Sequence, residues 1–175
     1  GWQWFVVSDL GLTTMSGVDG LHVFVRSLGT AAAKGLPARI VAKMNSLTDP
    51  VLIHALILAG QKGAQIDLIV RGACMLPAGL PGKTDNIRVR SIIGRFLEHS
   101  RVFFFEAADV QDIYLSSADW MTRNMTRRVE LAWPVLALSL RQRIVDECLL
   151  PYLHDTRNAW TLESDGQYHR VDKKG

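Results

Sequence analysis

A strand, a helix and a second strand follow one another directly in this sequence, and few folds accommodate that order. Residues Ala38–Met44 and 65–72 are runs apolar enough for buried strands. Between them, Pro50 stands at a first helical position, where its missing N–H costs nothing, and Thr48 or Asp49 can cap the helix. Strands joined in this way lie parallel in one sheet, so the sequence predicts an α/β domain.

The second half of the chain continues the pattern with short strands and one helix. A helix is predicted over residues 139–153 because apolar residues recur there at helical spacing. A turn at 164–166 separates two more strand-like pieces near the end of the sequence. Four further strands are predicted, at residues 87–93, 101–106, 112–118 and 127–133.

The first thirty or so residues have a different character. Two runs rich in β-branched and aromatic residues, 4–12 and 20–28, flank a turn-rich stretch and predict a β-hairpin. The hairpin is expected to borrow a sheet edge and to add little to the core, because a hairpin alone is barely stable. A linker-like stretch at 31–37 follows. The predicted division is therefore a segment at 1–36 and a domain at 37–175.

The composition is that of a folded protein with a mild excess of positive charge. Hydrophobic residues make up 48% of the chain, charged residues 21%, and the net charge is +3. That excess of positive charge suits an anionic partner, but a nucleic acid is not expected to be that partner. Without a long apolar run or a signal peptide, no membrane span is expected, and the predicted location is cytoplasmic. Cys74 and Cys148 lack metal-ligand spacing and are expected to be small buried thiols.

Arg71 directly follows the second buried strand, at the sheet edge where open α/β folds bind ligands. A guanidinium there needs an anion, which is either a ligand or a carboxylate of the chain itself. His99 and Arg101 stand at alternate positions leading into a strand, so they are expected to share a face. A histidine beside a cation can exchange a proton with a phosphate oxygen, but a lone histidine is more often structural.

Residues 116–128 combine hydroxyl groups and arginines, as phosphate sites do. The competing interpretation is a solvated basic face. No P-loop motif and no glycine-rich dinucleotide motif occurs, so neither of those nucleotide sites is supported. The polar residues of this cluster are Ser116, Ser117, Asp119, Arg123, Asn124, Arg127 and Arg128.

Four long segments, in this order, resemble the C-terminal catalytic domain of bacterial polyphosphate kinase. They read RIVAKMNSLTDP, IDLIVRGACML, GLPGKTDNIRVRSIIGRFLEHSRVFFF and IYLSSADWMTRNM. The resemblance runs nearly without gaps from about Pro37 to the C-terminal region. It implies an α/β, phospholipase D-like domain with a mixed sheet flanked by helices. It also implies reversible transfer of the terminal phosphoryl group of ATP to polyphosphate, through a phosphohistidine.

The resemblance also assigns roles to individual residues. His99 corresponds to the proposed acid/base histidine, whereas Arg71 and Arg128 correspond to arginines that hold nucleotide phosphates. Arg101 and Ser117 complete the predicted phosphate-binding set, and no residue is predicted to hold a metal. Mg²⁺ is expected to arrive with the nucleotide or polyphosphate. The expected partners are ATP or ADP, inorganic polyphosphate and the upstream domains of the kinase, which contain the phosphorylated histidine.

Residues 1–34 instead resemble a β-rich segment of bacterial alpha-2-macroglobulin-like proteins, which suggests a chimera with its junction near 31–37. Two alternatives to the kinase function therefore stay open. One is a catalytically incomplete chimeric fragment that only binds polyanions. The other is a β-strand interaction module, in which the first thirty residues carry the function. Whether the chain assembles into a homo-oligomer is a separate open question.

Overall fold

A mixed β-sheet with helices on both faces dominates the computed structural model, which describes residues 4–8, 11–15 and 17–171. Within these residues the sheet has ten strands in the order β10-β9-β5-β4-β3-β6-β7-β8-β1-β2. The strands are β1 (Trp4–Ser8), β2 (Gly11–Met15), β3 (Ala38–Met44), β4 (Gln65–Val70), β5 (Ile87–Ile92), β6 (Val102–Ala107), β7 (Val110–Ser116), β8 (Leu131–Pro134), β9 (Ala159–Leu162) and β10 (Tyr168–Arg170). The helices are α1 (Gly17–Ala33), α2 (Pro50–Gln61), α3 (Thr122–Thr126), α4 (Leu138–Ile144) and α5 (Leu150–Leu153).

The predicted strand–helix–strand unit is confirmed. β3 and β4 pair in parallel, and β5 pairs in parallel with β4. Helix α2 connects β3 to β4, and its N-terminus is capped by Asp49, whose Oδ1 accepts hydrogen bonds from the backbone N–H groups of Val51 and Leu52, each at 3.1 Å. β6 runs antiparallel along the other side of β3. The start of β6 therefore lies beside the carboxyl end of β3.

Period-two alternation in the central strands builds a core on each side of the sheet. In β3, Ile40 and Ala42 contribute to a large cluster that includes buried side chains of α1 and α2. Val41, between them, contributes to a smaller cluster with Ile69, covered by the helical stretch at 138–153. Because apolar side chains are buried on both faces, the fold belongs to the α/β class.

The predicted N-terminal hairpin is present, but it is built from other residues than expected. β1 and β2 pair antiparallel, so both strands lie within 4–15, and the second predicted run belongs to helix α1. In that helix, Leu21, Val25 and Leu28 recur at a spacing of three or four residues and are buried. The expectation that this segment adds little to the core is therefore wrong. The predicted linker at 31–37 is also partly wrong, since α1 continues to Ala33.

The predictions for the rest of the chain are confirmed with small changes of boundary. The four predicted strands correspond to β5, β6, β7 and β8, and a turn at 164–166 separates β9 from β10. The predicted helix at 139–153 is helical throughout, although a π-helical turn, Val145–Leu149, separates α4 from α5. Residues 9–10 of the first predicted run and residue 16 of the predicted turn lie outside the described residues. None of the helices described combines the length and apolar character needed to cross a bilayer.

Candidate functional site

Four polar residues meet at the edge of the sheet where β3 and β4 end. Asn45 directly follows β3, and Arg71 directly follows β4. Arg101 precedes β6, whose start lies beside the end of β3, and Asp119 follows β7, which runs antiparallel to β6. Arg71 therefore lies at the sheet edge where the sequence placed it, and Arg101 lies at the same edge, which the sequence did not predict.

Hydrogen bonds connect these four side chains into one network, here called the arginine cluster. Asp119 accepts from Arg101 at both carboxylate oxygens, at 3.0 Å from Nε and 3.2 Å from Nη2. Oδ1 of Asp119 also accepts from the backbone N–H of Asn45 at 2.7 Å and from its side-chain amide at 3.2 Å. The amide oxygen of Asn45 then accepts from Arg71, at 3.2 Å from Nε and 2.9 Å from Nη2. Asn45 thus joins the two arginines through one shared carboxylate.

The charges within the arginine cluster do not balance. Two guanidinium groups face a single carboxylate, and Arg101 holds that carboxylate in a two-point ion pair. Among the described residues, Arg71 bonds to an amide oxygen and forms no ion pair with a carboxylate of the chain. Because Asn45 and Asp119 are both less than one-tenth exposed, the excess positive charge stands at the rim of a poorly hydrated edge.

His99 lies in the segment 93–101 that connects β5 to β6, rather than in a strand. Its side chain is exposed, and its backbone carbonyl accepts a hydrogen bond from Nη1 of Arg101 at 3.1 Å. β6 begins only at Val102, so the strand periodicity that was expected to place His99 and Arg101 on one face does not apply to them. The structure does bring the two residues together, through the backbone of His99.

Ser117 and Arg128 have no described bond to the arginine cluster. The hydroxyl of Ser117 donates to Glu130, a buried carboxylate, and accepts from the backbone N–H of Leu131 at 3.0 Å. Its only proton is therefore committed within the chain. Arg128 is exposed in the segment between α3 and β8, two residues before Glu130. Because Arg101 is held in an ion pair with Asp119, Arg71 and the exposed Arg128 are the arginines more available to a ligand.

A second polar group, centred on Lys43, lies beside the segment that contains His99. Lys43 is in β3, two residues before Asn45, and its side chain is only 5% exposed. Its Nζ donates to Ser100, lies 3.6 Å from Oε1 of Glu98 and sits 4.1 Å from the centre of the Tyr152 ring. Tyr152 also donates its phenolic O–H to Glu98. Lys43, Arg71, Glu98, Ser100 and Tyr152 all line one small cavity.

Close packing between two backbone segments holds the arginine cluster together. The N–H of Gly72 donates to the carbonyl of Asn45 at 2.7 Å, so the chain segments after β3 and β4 continue to pair beyond the strands. A Cβ atom at position 72 would lie 3.0 Å from that carbonyl oxygen, which is tighter than most Cβ contacts in proteins. Gly72 therefore permits the approach that brings Asn45 and Arg71 together.

Sequence reasoning missed several participants, among them Asn45, Lys43 and Tyr152. Asn45 could have been found by the rule that selected Arg71, because it too directly follows a buried strand. Lys43 was recognisable as the one charged residue among residues 40–44 of β3, which are otherwise apolar. Tyr152 gave no such signal, because its helix comes 109 positions after Lys43, and only the fold brings the two together.

Comparison with known proteins identifies the family. The model of the family described as polyphosphate kinase C-terminal domain 2 matches residues 13–175. The polyphosphate kinase of Xylella fastidiosa is 54% identical over 142 residues, which is 81% of this chain and 20% of that protein. The polyphosphate kinase of Burkholderia vietnamiensis is 53% identical over 139 residues, again 20% of its length. The chain thus spans about a fifth of the curated relatives that it matches.

Solved structures agree with this assignment. The crystal structure of polyphosphate kinase from Porphyromonas gingivalis superposes with a TM-score of 0.84 at 34% identity, covering 89% of this chain and 24% of that one. Nuc from Salmonella typhimurium, a phospholipase D family member, superposes with a TM-score of 0.50 at 17% identity over 83% of this chain and 90% of its own. That second likeness concerns the fold, which is phospholipase D-like as predicted. The chain belongs to the polyphosphate kinase family, as its C-terminal domain 2.

Proposed function

We propose that this chain forms part of a phosphoryl-transfer site that moves the terminal phosphoryl group of ATP reversibly onto polyphosphate. The observation that carries the proposal is the arginine cluster, in which Asn45 and one carboxylate hold two guanidinium groups and leave a surplus positive charge. Phosphoryl transfer depends mainly on positioning and on stabilising the charge of the phosphate oxygens. A fixed, poorly hydrated cationic edge supplies both.

The residues would divide the work as follows. Arg71, whose described partner is a neutral amide, binds phosphate oxygens of the nucleotide or polyphosphate, and the exposed Arg128 adds a second contact. Arg101 contributes positive charge while its ion pair with Asp119 holds the edge in place. Ser117 fixes the neighbouring segment through Glu130 and retains a lone pair, but not a proton, for a further contact.

His99 is proposed as the acid/base group that exchanges a proton with a phosphate oxygen. Its exposed ring follows from its place on a connecting segment at the same edge, and its backbone is tied to Arg101. The proposed partners are ATP or ADP, polyphosphate and the upstream kinase domains with the phosphorylated histidine, and the proposed location is the cytoplasm. The likeness of residues 1–34 to an alpha-2-macroglobulin-like protein stays a prediction. From residue 13 onward it competes with the match to the kinase domain.

The side chains at this edge do not fit a metal ion held by the protein. Both oxygens of Asp119 accept hydrogen bonds from Arg101, and Glu130 and Glu98 are bound by Ser117 and by Tyr152. Among the described residues, no group of three or more histidine, cysteine or acidic side chains is placed to hold a metal. Any Mg²⁺ would therefore enter on the phosphate oxygens of the substrate.

The proposal is tested by titrating polyphosphate into the chain and two variants of Arg71. A charge-assisted hydrogen bond contributes about 1.5–3 kcal/mol, so Arg71→Ala should weaken binding by about tenfold or more at fixed salt. Arg71→Lys should recover little of the loss, because an ammonium cannot reproduce the two-pronged contact.

Arg88→Ala is the matched control. It removes the same charge, but from a guanidinium that bonds to Asp67 and not to the arginine cluster. Its polyphosphate affinity should stay within about twofold of wild type, as expected for a general effect of net charge. Equal losses in Arg71→Ala and Arg88→Ala would mean that binding is nonspecific and that the site lies elsewhere.

A further inference from the structure

The segment that contains His99 is fixed on both sides of that residue. Glu98, directly before it, lies 3.6 Å from Nζ of Lys43 and accepts the phenolic proton of Tyr152. Ser100, directly after it, accepts from Lys43 and donates to Oε1 of Glu98 at 3.0 Å. The two neighbours of His99 are therefore bound to each other and to the same lysine.

Lys43 contacts this segment from β3, a central strand of the sheet. It is a buried cation in a strand whose neighbouring side chains are apolar, where a well-packed apolar residue would give equal or greater stability. Burial lowers the pKa of Lys43, and the nearby carboxylate of Glu98 acts in the opposite direction. A lysine at this position therefore needs its polar partners, and those partners flank His99.

Tyr152 closes the group from the other side, and its own position is fixed. Its ring covers the ammonium of Lys43 at 4.1 Å, a cation–π contact. Nη1 of Arg90, in β5, donates to the backbone carbonyls of Tyr152 and Leu153 and so caps the end of α5. The hydrogen bond from Tyr152, together with the charge of Lys43 and the bonds from Ser100, lowers the pKa of Glu98 to about 2, so that carboxylate is ionised at neutral pH.

We propose that Lys43, Glu98 and Tyr152 form a clamp that positions the His99 backbone for proton transfer, with Ser100 as its second attachment. The three are positioning residues, because the described bonds of their side chains are with one another and with Ser100, although they share a cavity wall with Arg71. The inference rests on the proposed role of His99. It adds that a buried lysine, Lys43, and a tyrosine 109 positions later in the chain, Tyr152, align that histidine.

The test compares backbone and ring NMR signals of His99 in the full chain with those of two variants. Lys43→Met removes the ammonium but keeps an unbranched apolar stem, and Tyr152→Phe removes only the phenolic O–H. In wild type, the order parameters of residues 98–101 should be near those of rigid backbone, about 0.85. Both variants should lower them below about 0.6 and shift the imidazole signals of His99.

Asp67→Asn is the matched control. It disrupts another buried carboxylate, which pairs with Arg39 at 3.3 Å and with Arg88 at 2.7 Å and has no described bond to the His99 segment. Residues 98–101 should keep their wild-type order parameters in this variant. Polyphosphate affinity should stay within about twofold of wild type in Tyr152→Phe, because Arg71 is untouched.

Assembly of the chain with the upstream domains of a polyphosphate kinase adds a kinetic readout. Tyr152→Phe should lower kcat by about tenfold or more with little change in the KM for ATP, since small misplacement of a catalytic group costs that much. Unchanged order parameters at 98–101 in both clamp variants would overturn the inference, and so would an equal loss of order across the central strands. Failure of the proposed function is a separate result, namely unaltered polyphosphate binding in Arg71→Ala.

Discussion

Truncation of Leu28 tests whether helix α1 is an integral part of this domain. The Leu28 side chain is 1% exposed and packs in the same core cluster as Leu56 of α2 and Ile40 of β3. Removing three buried carbon atoms at such a site costs about 2–5 kcal/mol, as a lost transfer free energy plus a cavity. For a domain of this length, each kcal/mol lowers the unfolding midpoint by about 2–4 °C. Leu28→Ala should therefore lower it by about 6–12 °C at a mid-range loss of about 3 kcal/mol.

Thermal unfolding followed by circular dichroism, with urea unfolding at 25 °C as a second measure, checks this value. Ser27→Ala serves as control, because Ser27 is exposed on the same helix and its hydroxyl donates to the carbonyl of Phe24 at 2.8 Å. That change should stay within about 0.5 kcal/mol. If Leu28→Ala were no more destabilising than Ser27→Ala, α1 would be a peripheral addition, and the packing of Leu28 against the core would not contribute to stability.

Two predictions concern catalysis and pH. With the upstream domains of a polyphosphate kinase supplied in trans, His99→Ala should reduce ATP-dependent polyphosphate synthesis by about 10²–10⁴-fold, while polyphosphate still binds. Robust synthesis by the 175 residues alone would contradict the role assigned to His99. The pKa of Glu98 in the folded chain is about 2, below its ordinary value. The ionised carboxylate therefore stabilises the fold fully above about pH 4.3. That contribution is lost as the pH falls from about 4.3 to about 2. The urea midpoint of wild type should therefore exceed that of Glu98→Gln at about pH 6 and converge with it near pH 2, and a constant difference would show that the charge of Glu98 is not involved.

The central unit of the fold was predictable because its signals are local. The apolar run of β3, the Asp49–Pro50 start of α2 and the position of Arg71 after β4 each require only a few neighbouring residues. Their consequence, a cationic site at the carboxyl edge of the sheet, then follows from the parallel geometry. The residues that hold the arginine cluster together were less accessible. Asp119 is recognisable as a partner of Arg101 only when β6 and β7 are known to be paired.

Helix α1 was mistaken for a strand because a short apolar run has no unique period. Residues 20–28 contain valine and phenylalanine, which favour strands, and the helical spacing of Leu21, Val25 and Leu28 competes with that preference. Tertiary packing decides the outcome. Gly29 allows α1 to approach α2 closely, since a Cβ atom there would lie 3.2 Å from Cα of Ala59. Such a contact between helices has no counterpart in the local sequence pattern.

The continued pairing of Asn45 with Gly72 beyond the ends of β3 and β4 has a kinetic consequence. Two backbone groups joined at 2.7 Å move together, so the amide of Asn45 and the guanidinium of Arg71 keep one relative placement before any ligand arrives. An incoming phosphate chain then meets a site that does not need to be assembled. Its association rate should depend on diffusion and on the long-range attraction of the exposed positive edge, and added salt should slow arrival more than it speeds departure.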